Sequence, residues 1–174
     1  MKSISKELAK RAKELGICKD WHERLKSTDD KREMITMYIK GIDFCLANDY
    51  PDNDYIVANF GEIMHDFGIF VDSDIDLKNT ERCIALGKTR GKIEVTDYNV
   101  CEIFVKHNSE LTIIAKDNAF VVIDIFNNST IHIQAQNNAK ICINKYIGAI
   151  IRGRVQIDNA VIKINEKPKK SYKS

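Results

Sequence analysis

The sequence lacks the short motifs that identify many enzymes and metal proteins. It has no Gly-rich phosphate loop, no G-x-S-x-G elbow and no H-E-x-x-H pair, which argues against the enzyme classes that depend on them. Its five cysteines are scattered and include no C-x-x-C pair, so neither a disulfide framework nor a zinc site is expected. We therefore predict no catalytic residues, no metal and no cofactor.

Long apolar runs are also missing. No segment approaches the roughly 18 to 20 apolar residues that a membrane-spanning helix needs. The amino-terminal stretch MKSISKELAKRAKEL is too charged for a secretory signal. The expectation is a cytoplasmic protein without a membrane partner.

The sequence does contain a ten-residue repeat over residues 97–167. Each unit has apolar residues at positions five and seven and mostly polar ones at positions six and eight, an alternation that predicts a strand with one buried face. Position three is usually Ser or Ala, and position two is usually Asn, which tolerates the left-handed conformation of a corner. The units are DYNVCEIFVK, HNSELTIIAK, DNAFVVIDIF, NNSTIHIQAQ, NNAKICINKY and DNAVIKINEK.

A second period of twenty residues is superimposed on the first, because the third position alternates between Ser and Ala from Ser109 to Ala139. Two strands placed back to back can bury their apolar faces, whereas one strand cannot. The pattern therefore predicts a β-solenoid with about twenty residues per coil over residues 77–167. Gly153 replaces the isoleucine of one unit and Ile157 is an extra residue, which predicts a bulge there. An antiparallel β-meander is the alternative.

The Asn-small-x-Ile-x-Ile pattern resembles the β-solenoid repeats of phage structural proteins, mobile-element proteins and cytoskeletal bactofilins. It covers roughly half of the chain. The resemblance implies the architecture and a tendency to self-assemble, and it carries no functional residues. If the protein is encoded by a phage, the resemblance implies an association with the virion.

The pattern of residues 1–76 predicts a helical domain. Together with the solenoid, this domain gives an α+β fold class. One helix is expected over residues 5–15, and a longer one from Thr28 or Asp29 to about Ala47. The exposed edge strands and apolar core at a solenoid end need a cover, so we expect the helices to cap the solenoid.

Charge is distributed unevenly along the chain. Residues 1–76 carry 11 Lys and Arg against 16 Asp and Glu, for a net charge of −5, whereas residues 77–174 carry 16 against 9, for +7. Residues 168–174 are expected to form a basic flexible tail. Nucleic acid is not expected as a partner. The cations that an anionic partner would contact are Arg152, Arg154, Lys167, Lys169 and Lys170.

The outward positions of alternate units predict one partly apolar face. Such a face usually marks an interface, and the alternative is that the helical domain covers it. In either case Phe126 and Tyr146 should be less exposed than alternation alone suggests. The residues of this predicted interface are Phe104, Val122, Phe126, Cys142 and Tyr146.

These observations favour a non-enzymatic structural or interaction protein that forms homo-oligomers through its solenoid. The alternative is an accessory module that binds a small molecule, a nucleic acid or another protein. His132 and Cys142 share one repeat position, and they would be neighbours in a meander but not in a solenoid.

Overall fold

The computed structural model describes residues 3–173, which form two units over residues 3–67 and 68–172. Met1, Lys2 and Ser174, which belong to the predicted helical domain and tail, lie outside the described residues. The first unit is helical and the second is a β-solenoid, which confirms the α+β class. The unit boundary precedes the predicted one at residue 76. The helices are α1 (Ile4–Glu14), α2 (Lys19–Ser27), α3 (Lys31–Lys40), α4 (Ile42–Asn48), α5 (Asn53–Phe60) and a 3₁₀ helix (Gly61–Phe67).

The single long helix expected up to Ala47 is two helices in the structure, which meet at Gly41. This residue has φ −104° and ψ 31°, outside the helical region, and its N–H still bonds the Met37 carbonyl. Glycine favours such a break because it costs about 1 kcal/mol relative to alanine inside a helix. Asp52 is the N-cap of helix α5, and its carboxylate accepts the Tyr55 N–H at 2.9 Å.

Within residues 3–173, eleven parallel strands form the solenoid, and the antiparallel meander is excluded. One sheet has the order β1-β3-β5-β7-β9-β11 and the other β10-β8-β6-β4-β2. Consecutive strands therefore lie in different sheets, and strands two apart pair. The strands are β1 (Ile69–Val71), β2 (Asp74–Lys78), β3 (Arg82–Leu86), β4 (Arg90–Val95), β5 (Val100–Val105), β6 (Glu110–Ala115), β7 (Phe120–Ile125), β8 (Thr130–Ala135), β9 (Lys140–Lys145), β10 (Ile150–Gln156) and β11 (Val161–Glu166).

The register of the ladders follows the predicted twenty-residue coil. Ile103 pairs with Ile123, and Ile123 pairs with Ile143. All three side chains are fully buried, so the isoleucine column forms one wall of the core. Burying one such side chain contributes about 1.5–3 kcal/mol, and stacking many in register makes the repeat stable although one coil alone is not.

The corners show why the first position of the unit is usually Asp or Asn. Asp97, Asp117 and Asn137 have φ near +58°, so position one, and not the predicted position two, adopts the left-handed conformation. The side chains of Asp117 and Asn137 also accept an N–H from one coil earlier: Asp117 Oδ2 lies 3.1 Å from Asp97 N, and Asn137 Oδ1 lies 3.2 Å from Asp117 N. Asp and Asn combine this tolerance with an acceptor.

The alternation of Ser and Ala reflects two kinds of corner. Ser129 Oγ lies 2.6 Å from the Phe126 carbonyl oxygen and 3.1 Å from that of Val105, so its buried hydroxyl ties two coils together. Ala119 and Ala139 are fully buried at the opposite corner. The twenty-residue period therefore distinguishes a hydrogen-bonded corner from an apolar one.

The core also determines which thiols are accessible. Burial raises the pKa of Cys101 to about 12 and raises those of Cys45 and Cys83 above the ordinary range, whereas Cys18 is exposed. In a Cys142→Ser background we expect one thiol to react rapidly with Ellman's reagent in the native protein, and the other three to react after denaturation. Rapid reaction of more than one thiol without denaturant would contradict this burial.

Candidate interaction surface

The predicted interface lies on the outer side of the six-stranded sheet. Phe104, Phe126 and Tyr146 are buried, and Val122 and Cys142 are half-buried. Phe126 is 0 % exposed, so this face is largely covered within the chain itself. Phe126 and Tyr146 are less exposed than alternation alone suggests, as the sequence predicts.

Part of the cover comes from Tyr172, near the carboxyl terminus. The rings of Phe126 and Tyr146 stack with centroids 4.5 Å apart, and the Tyr172 ring lies edge-on to them at 5.2 and 5.6 Å. Its hydroxyl donates to Asp124, which also accepts from Asn144 Nδ2 at 2.7 Å. Burial, and then the bond to Asp124, raise the pKa of Tyr172. The three rings form one intramolecular cluster.

The predicted flexible tail makes ordered backbone contacts in the structure. Lys167 N donates to the Lys145 carbonyl, and the Lys169 carbonyl accepts from Ile147 N, both at 2.8 Å. These bonds direct the segment back over the last corner and bring Tyr172 to the aromatic cluster. The sequence signal that points to this role is the single aromatic residue in a lysine-rich end.

Five exposed aliphatic side chains lie in the last coil of the solenoid. Each is 41–51 % exposed. Three of them lie on β10 and β11, the last strands of their sheets, and the other two lie in the segments that precede these strands. We name these side chains, together with the outer edges of β10 and β11, the terminal-coil surface. Sequence reasoning missed this surface, although the apolar outward positions of the last unit were a visible signal. Its residues are Ile147, Ile150, Val155, Ile157 and Val161.

A bulge in β10 replaces an apolar residue by a charged one at the end of the isoleucine column. The register of β10 shifts between Ile151 and Gly153, as predicted, so that Arg154 pairs with Ile133 in the isoleucine column. The Arg154 guanidinium donates to the Ile162 carbonyl of the opposite sheet at 3.1 Å. A cation thus stands where the next isoleucine would be.

The other predicted cations differ in exposure. Arg152, Lys169 and Lys170 are exposed, and Lys167 is half-buried. They belong to a strongly basic part of the chain, residues 140–173, which carries only two acids, Asp158 and Glu166. Its nine cations are Lys140, Lys145, Arg152, Arg154, Lys163, Lys167, Lys169, Lys170 and Lys173.

Charges on the five-stranded sheet are paired across strands. Glu94 lies 3.3 Å from Lys116 and 3.5 Å from Lys78, and the hydrogen bond from Lys116 lowers the pKa of Glu94. His132 lies on β8 of this sheet and Cys142 on β9 of the other, so the structure does not bring that pair together. Among residues 3–173, no group of three or more His, Cys, Asp and Glu side chains is placed to hold a metal ion.

Comparison of the chain with family models, curated proteins and solved structures found no match. The fold is therefore established by its geometry alone. In the described part of the chain, no helix has the length and apolar character to span a membrane.

Proposed function

We propose that this protein is a non-enzymatic structural or interaction protein that self-associates through its β-solenoid. The observation that carries the proposal is the terminal-coil surface, where five aliphatic side chains are exposed in a single coil. Elsewhere in the described chain, the exposed large apolar residues are spread over α1, α5 and the middle coils. A concentrated apolar patch with a charged surround is typical of a protein interface.

Free strand edges support the same surface. β10 and β11 each pair with a strand on one side only in the described residues, so the N–H and C=O groups of their outer sides have no strand partner. Edges of this kind associate with other chains unless they are blocked. Arg154 occupies the end of the core and limits continuation of the isoleucine column, so the contact is expected to cover this end without extending the sheets as another identical coil.

The interface that we propose therefore lies at the end of the six-stranded sheet, whereas the sequence predicted one in the middle of that sheet. Phe126 and Tyr146 are packed against Tyr172, so Asp at either position would unfold the region before it tested association. Val161 is a better probe because it is 49 % exposed.

Light scattering provides the test. We expect a solution mass above the 19.9 kDa of one chain, and a return to that mass in a Val155→Asp/Val161→Asp variant, because two carboxylates would be desolvated in the contact. The matched control is Val100→Asp, since Val100 is equally apolar, 58 % exposed and in the same ladder column as Val161. Wild-type protein at the monomer mass would refute the proposal.

The wider setting, a phage or mobile-element component, is part of the proposal and rests on the resemblance of the repeat. An accessory binding module is the second candidate, favoured by the nine cations of residues 140–173. Binding of a fluorescent DNA oligonucleotide that weakens steeply with salt would support that candidate. No binding at low salt would remove nucleic acid as its ligand.

A further inference from the structure

We infer that the partner of the terminal-coil surface is the acidic helical segment of a second copy of this chain, so that copies associate head to tail. This rests on the proposed self-association and adds its partner and polarity. The two surfaces that meet are different, and each copy therefore offers one of each.

The acidic segment, residues 41–67, contains no Lys or Arg. It comprises α4, α5 and the 3₁₀ helix of the helical unit. All of its carboxylates are on exposed residues. Two of them, Asp52 and Asp66, pair with Arg11 of α1 and Arg32 of α3, so the acids still outnumber the cations that contact the segment. Its acids are Asp43, Asp49, Asp52, Asp54, Glu62 and Asp66.

Helix α5 supplies an apolar centre within this segment. Asp54, Val57 and Ala58 are exposed, and their spacing of three and four residues places them on one face of the helix. Val57 is 47 % exposed, and Glu62, which is also exposed, lies in the 3₁₀ helix that follows α5. An apolar centre with an acidic rim is the complement of the terminal coil, whose aliphatic side chains are flanked by Arg152 and Lys163.

The charge distribution also favours this partner over a second terminal coil. Residues 77–139 carry seven Lys and Arg against seven Asp and Glu, so the excess positive charge of the solenoid is confined to its last part. Two terminal coils facing each other would bring these cations together, which opposes association, whereas opposite charges guide it and fix its orientation. A contact between unlike surfaces is heterologous and yields rings or open filaments.

A mixing experiment tests the inference. Arg152→Glu/Lys163→Glu removes the basic rim, and Asp54→Lys/Glu62→Lys removes the acidic one; all four side chains are exposed. Each variant alone has only one functional surface, so we expect each to have the 19.9 kDa monomer mass. An equimolar mixture should assemble to a mass above that of one chain, because the two intact rims are complementary and so are the two reversed rims. Circular dichroism verifies that both variants are folded.

A control variant with the same change in net charge tests whether the effect depends on the position of the charges. Lys88→Glu/Arg90→Glu makes the same change at exposed positions outside the terminal coil, and it should retain the wild-type mass. Association of wild-type chains should weaken between about 0.05 M and about 1 M salt, over which the Debye length falls from more than 10 Å to about 3 Å.

The outcomes distinguish the two proposals. A wild-type oligomer that persists in both rim variants upholds self-association and overturns the head-to-tail contact. Monomers in the first variant, with full assembly of the second alone, would assign the contact to terminal coils only and also overturn it. A wild-type monomer at every salt concentration overturns both proposals.

Discussion

A Gly91→Ala variant is expected to lose about 3 kcal/mol or more of stability in the solenoid. Gly91 lies in β4 with φ +139°, and an added Cβ would lie 1.8 Å from the Ile75 carbonyl oxygen of β2. A disfavoured backbone conformation costs about 1–3 kcal/mol, and overpacking costs about 1–3 kcal/mol more. The contacting atoms are backbone atoms, so rotation of a side chain cannot relieve them. Urea unfolding followed by circular dichroism measures the loss, and amide exchange shows whether β2 opens first.

Gly153→Ala is the matched control in the same sheet. The nearest atom to its added Cβ is Nδ1 of the His132 side chain, at 3.2 Å, and that side chain is half-buried and free to shift slightly. We expect a change within about 1 kcal/mol, because mild crowding relieved by a side chain costs little. Equal losses in the two variants would show that the close approach of β2 and β4 at Gly91 is not the cause.

A Phe126→Ala variant is expected to lose about 3–5 kcal/mol, the usual cost of removing a buried phenylalanine. Phe126 is fully buried and contacts both Tyr146 and Tyr172. Its removal leaves a cavity and withdraws the surface on which the carboxy-terminal segment packs. Urea unfolding measures the free energy, and proteolysis after Lys169 or Lys170 reports release of that segment.

Phe120→Ala provides the comparison, since Phe120 begins the same strand, β7, but is 37 % exposed. We expect a loss below about 1.5 kcal/mol and no increase in cleavage of the carboxy-terminal segment, because a partly exposed ring buries less apolar surface. A similar loss for the two phenylalanines, or unchanged cleavage in Phe126→Ala, would contradict the role of Phe126 as the base of the aromatic cluster.

The repeat made the solenoid predictable because the same positions are buried and paired in each coil, so the same residue types recur there. Isoleucine at position seven and the twenty-residue period together predicted the core column and the pairing of strands two apart. The bulge at Gly153 was predicted for the same reason, as a departure from a regular column. The first coil was missed because β1 and β2 are short and do not carry the repeat.

Individual contacts that the repeat pattern does not specify were harder to predict. Asn at position two and Asp or Asn at position one tolerate the left-handed conformation equally well, so the sequence does not distinguish them. At position one the side chain also accepts an N–H from the preceding coil, as Asp117 does from Asp97. Likewise, Tyr172 reaches Phe126 through a segment with neither periodicity nor a turn motif, so its contact is visible only in three dimensions.

The sequence predicted which apolar side chains point outward, but not how far each of them is covered. Alternation identified outward apolar side chains such as Phe126 and Tyr146, but it does not show what lies over them. It also treats each coil alike, whereas the final coil lacks a following neighbour. Ile151 and Ile164 are only partly buried for that reason, whereas their ladder partners Ile131 and Ile143 are fully buried. End effects of this type do not appear in a repeat pattern.

The two kinds of corner set the unit by which this protein can change in length. Gene duplication or deletion of one whole coil would leave each remaining serine corner above another hydrogen-bonded corner, and each acceptor at position one above an N–H. Insertion of a single ten-residue unit would instead exchange the two sheets for every strand that follows. Homologous solenoids that descend from this arrangement should therefore differ in length by multiples of about twenty residues, even though the sequence itself repeats every ten.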